Sequence, residues 1–87
     1  MSTWTSYLQA HHTQYLDELL EFLRIPSISS LPEHTGDIQR AAEWVADRME
    51  TAGIEAIHIL PTDGHPVVIG EWKHAEDKPT ILIYGHF

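Results

Sequence analysis

The sequence predicts a layered fold of mixed α/β class, two helices followed by three strands in the order α-α-β-β-β. Three observations predict it. Apolar residues recur at spacings of three and four over residues 4–23 and again over 37–52. Two runs rich in aliphatic and β-branched residues, 54–60 and 67–72, flank a stretch of turn formers. A third run, 80–84, is apolar at almost every position. At 87 residues the chain is one domain at most, residues 1–87, and buries a smaller fraction of its surface than a larger fold would.

In the first helix Trp4, Leu8, Tyr15, Leu16, Leu19, Leu20 and Leu23 share one stripe, while Asp17, Glu18 and Glu21 fall largely on the other side. Pro26 stops it, since the residue before a proline is pushed out of the α region. The segment RIPSISSLPEHTGD, with two prolines and several turn formers, is predicted as a loop. The second helix carries Ile38, Ala41, Ala42, Val45 and Met49 on its apolar stripe, with Trp44 beside it. Its end is the most strongly signalled boundary in the chain. Gly53 stands where a left-handed residue closes a helix, and Ile54 can then pack back on Met49, as in a Schellman ending.

The strands IEAIHIL and VVIGEW are joined by PTDGHP, whose Asp63-Gly64 pair marks a turn, and antiparallel pairing is the economical reading. KHAEDK is a polar loop. TILIY then reads as a strand buried on both faces of a helix-covered sheet. Such a strand needs neighbours on both sides and cover above and below. Two helices and two other strands do not supply all of that, so the chain is expected to be the opening of a larger domain. Alone it is expected to be marginally stable, with TILIY prone to β-aggregation because it is uncharged and free of proline.

Composition removes several function classes. Thirteen acidic and 5 basic residues give a formal charge of −8, which works against nucleic acid and anionic membrane surfaces and leaves cationic partners, metals included, compatible. The absence of cysteine rules out disulfides and thiolate metal sites. The first residues, MSTWTSYLQAHH, lack the basic and long apolar regions of a secretory signal, and no stretch approaches the ~18 apolar residues of a membrane span. A cytoplasmic location is the expectation. Trp4, Trp44 and Trp72 read as core or partly buried packing residues.

Histidines carry the candidate chemistry. His11 and His12 are adjacent on a helix, about 100° apart, and cannot converge on one metal. His58 lies on the sheet face opposite Ile57 and Ile59, His65 in the turn and His74 in the polar loop, with no compact zinc spacing among them. Ser27, Ser29 and Ser30 sit in no nucleophile elbow and read as turn formers. His86 is different in position. It follows Gly85 just past the carboxyl end of a strand, where functional groups of open α/β sheets gather. Position alone leaves two readings open, a histidine bonded within a loop and a metal ligand.

Three passages in order, ELLEFLRIPSIS (18–29), AAEWVADRMETAGI (41–54) and PTILIYGHF (79–87), carry a resemblance to a known family. They are similar to the di-zinc metallopeptidase and amidohydrolase family that includes carnosine-type dipeptidases, aminoacylase, glutamate carboxypeptidase and succinyl-diaminopimelate desuccinylase. HPVVIGEW resembles the strand that usually precedes the last passage, and LIYGH followed by an aromatic residue looks closest to the dipeptidase branch. The resemblance implies a three-layer zinc-peptidase catalytic domain, of which this chain would be the opening portion.

It also implies that His86 is the histidine of the family's Gly-His-x-Asp motif and a ligand to one of two zinc ions. The motif's aspartate would follow Phe87, where it would hold the imidazole. The bridging aspartate, the other carboxylates, a second histidine and the general-base glutamate would lie further on. Amide hydrolysis needs them all, because a metal-bound water must be activated and its proton passed to the leaving amine. The implied substrate is a dipeptide or N-acyl amino acid, and the implied parent a homodimer; these 87 residues alone are expected to be inactive. Two other readings stand beside this one. One is a truncated, non-catalytic binding module that uses its exposed sheet edge; the other is a histidine-rich metal buffer.

Overall fold

A computed structural model describes residues 3–87. Its elements are α1 (Thr3–Leu23), a 3-10 turn (Pro32–His34), α2 (Thr35–Thr51), β1 (Glu55–Leu60) and β2 (Val67–Glu71). The result is a small mixed α/β unit, two helices followed by an antiparallel pair of strands.

α2 is the centre of the fold. Ile38, Ala41 and Ala42 are fully buried, and Val45 and Met49 are half-buried, so the predicted stripe does face the interior. The helix starts two residues earlier than predicted, because Pro32 opens a 3-10 turn that leads straight into it. Its end follows the prediction closely. Gly53 is left-handed at φ 92°, Ile54 N–H donates to the Met49 carbonyl at 3.0 Å, and Gly53 N–H donates to the Glu50 carbonyl at 3.0 Å. These are the two bonds of a Schellman motif.

The helix ending aims the chain directly into β1. Ile57 and Ile59 on β1 and Val68 and Gly70 on β2 are half-buried, while their strand neighbours are exposed, the period-2 signature of a sheet covered on one face. Pairing runs Leu60↔Val67, Ile59↔Val68 and His58↔Ile69, and an irregularity between Glu55 and His58 shifts the register by one residue, to Glu55↔Glu71. Ala56 sits in that bulge at φ 50°, a conformation in which a Cβ costs about 1–2 kcal/mol. Ala56→Gly removes that strain and adds roughly 0.5–1 kcal/mol of glycine entropy. A net gain of about 0–1.5 kcal/mol is therefore expected from urea unfolding; a loss would show that the bulge is unstrained.

α1 departs from its predicted orientation. Glu18 and Glu21, expected on the solvent side, face α2: Arg48 donates to Glu18 at 2.5 Å and Trp44 Nε1 donates to Glu21 at 2.9 Å. Phe22 stacks on Trp44 with ring centroids 4.8 Å apart. The leucine stripe is turned away, and Leu16, Leu19, Leu20 and Leu23 are 44–66% exposed. Polar anchors on α2 select the glutamate side, and no described element packs on the leucines. Trp4 and Trp72, predicted as packing residues, are likewise exposed, whereas Trp44 is half-buried as expected. Because the Arg48–Glu18 pair is partly solvated it stabilises by at most about 1 kcal/mol. Trp44 supplies more, through a ring pair of about 0.5–1.5 kcal/mol and a hydrogen bond. Trp44→Ala should strip hydrogen-exchange protection from α1 amides while α2 keeps its own; equal loss in both would mean that the helices unfold as one unit.

The predicted third strand is not a strand. Residues 80–84 carry no strand pairing, and Ile81, Leu82, Ile83 and Tyr84 are 78–93% exposed. The cause is the shortage of neighbours already visible in the sequence: two strands and two helices form no slot that could cover this run on both faces. The radius of gyration, 15.3 Å, exceeds the ~12 Å of a compact chain this long, in keeping with the open arrangement.

Candidate functional site

His86 follows the apolar run 80–84, which is not the predicted strand, and its ring is exposed. Tyr84 and His86, two residues apart, meet edge to face with centroids 5.0 Å apart and planes at 84°. That i, i+2 contact puts the two side chains on the same side of the chain. Gly85 between them has nothing within 4 Å of where a Cβ would stand, so no close approach at that position demands glycine.

The other histidines are engaged elsewhere. His11 lies between Tyr7 and Tyr15, with centroids at 4.1 and 5.8 Å, and its Nδ1 donates to the Tyr7 carbonyl at 2.8 Å. His11 is thus half-buried between two tyrosines of its own helix. Partial burial, then the Tyr7 hydrogen bond and charge, then the Glu18 charge, hold the Tyr15 phenol above its ordinary pKa. His65 Nε2 donates to the Ser29 carbonyl at 2.8 Å, which ties the β1–β2 turn to the serine loop. His74 Nε2 meets Glu55 at 2.9 Å. His58 is exposed on the outer sheet face, opposite Ile69. His58, His65 and His74 are therefore not drawn together.

One cluster escaped the sequence reading. His34 Nδ1 meets Asp37 at 2.8 Å, and Arg40 donates to the other Asp37 oxygen at 2.5 Å. The His-x-x-Asp-x-x-Arg spacing at a helix start was the available signal. The cluster reads as first-turn electrostatics, since Asp37 near the α2 N-terminus is favoured by the helix dipole.

An open groove of about 360 Å³ lies between the 61–66 turn and the start of α2. Its one titratable side chain is His65, already bonded to Ser29, and His86 does not line it. Among the described residues no group of three or more His, Cys, Asp or Glu side chains is placed to hold a metal ion. A zinc site needs three or four donors, and the imidazole of His86 offers one. The described donor set does not by itself fit a metal centre. No described helix is long and apolar enough to cross a membrane.

Comparison with known proteins adds a direction. Over 80 residues, 92% of the chain, it is 31% identical to a cysteinylglycine-S-conjugate dipeptidase of Corynebacterium striatum. The matched stretch makes up 18% of that protein, so the chain spans less than a fifth of the relative's length. No protein-family profile matches the chain, and no solved structure matches it. The likeness supports a dipeptidase-like relationship.

Proposed function

We propose that the chain is the N-terminal portion of the catalytic domain of a zinc-dependent peptidase or amidase acting on dipeptides or N-acyl amino acids, with His86 as one ligand of a two-zinc site. The observation that carries the reading is the 31% identity to a dipeptidase across 92% of the chain. Two structural features support it. The leucine face of α1 and residues 81–84 are exposed apolar surfaces of the kind a larger domain covers. The imidazole of His86 is exposed and meets the Tyr84 ring edge to face. Since these residues supply a single donor, no catalytic step is assigned to them, and the 87 residues alone are expected to be inactive.

The test uses the full-length protein. Stripped of metal with a chelator, it should lose hydrolysis of a dipeptide panel that includes cysteinylglycine S-conjugates, and regain it with added Zn²⁺. Unchanged turnover in protein shown by elemental analysis to be metal-free would overturn the reading. The same exposed run also suits a second reading, a non-catalytic binding module: Leu82, at 93% exposed, stands on an unpaired stretch open to a partner strand. A native mass of 9.9 kDa, with no hydrolysis of the panel, is the result that module requires.

A further inference from the structure

We draw no further inference here: the strongest candidate, the exposed apolar face that Leu16, Leu19, Leu20 and Leu23 of α1 turn away from α2, carries nothing because nothing in the structure shows what covers it.

Discussion

His86→Ala in the full-length protein is expected to remove bound metal and amide hydrolysis together. The loss of metal affinity should exceed the roughly 10–100-fold that follows removal of a group merely bonded to a ligand. The argument rests on what the side chain is doing here. His86 meets the Tyr84 ring edge to face in an exposed segment with no strand pairing, so truncating it removes little packing. A large functional loss from such a position has to come from chemistry rather than from folding. His74→Ala is the matched control, because His74 is also exposed and its imidazole is accounted for by Glu55. It should leave metal content and turnover near the parent's. His86→Asp, which keeps one donor atom, should retain more metal than alanine does. Normal metal content and activity in His86→Ala would sink the ligand assignment, while a changed melting profile would expose a structural role.

Much of the fold was legible because the chain states it locally. The closing turn of α2 is written in three residues: Gly53 takes the positive φ, and Ile54 follows to close the 6→1 bond on Met49. The two strands follow from alternation, which put Ile57 and Ile59 on one face and His58 on the other. The bulge at Ala56 was not legible, since alanine carries no signal for a left-handed backbone and the irregularity answers to pairing with β2.

Non-local facts were harder to read. A helical period shows which residues of α1 share a side, but not which side meets α2. That was decided by Arg48 and Trp44, which are 30 and 23 residues away from the glutamates they bond. Residues 80–84 fail in the same way. Their composition fits a doubly covered strand, but a strand is a relation to partners, and no described element provides the pairing. The candidate site is of this kind too. His86 could be singled out from position and motif, whereas a metal centre depends on donors that converge in space.

Gly70→Val is expected to be the most destabilising single change in the described fold. Gly70 lies on the face of β2 that meets Met49 of α2. A Cβ there would stand 2.6 Å from Met49 Cε, 2.7 Å from Ile54 Cγ2 and 3.2 Å from Ile57 Cγ1. Met49 can swing its flexible end away. Ile54 and Ile57 have less freedom, because β-branched side chains are stiff at χ1 and both are pinned, one by the Schellman ending, the other beside the bulge. Alanine alone should therefore cost about 1–3 kcal/mol, and valine, with two more methyl groups, should exceed that. At about 4–8 °C per kcal/mol for a domain of this size, Gly70→Ala should lower the melting midpoint by roughly 4–24 °C. Gly36→Ala supplies the opposite sign. Nothing lies within 4 Å of its Cβ position, and it sits inside α2, where alanine is favoured over glycine by about 1 kcal/mol. Midpoints moving in opposite directions would show that the α2–sheet contact, rather than general intolerance of added methyl groups, sets the stability of this fold. A Gly70→Ala midpoint equal to the parent's would mean that the sheet does not rest on α2 at this distance, and the position of β2 would have to be redrawn.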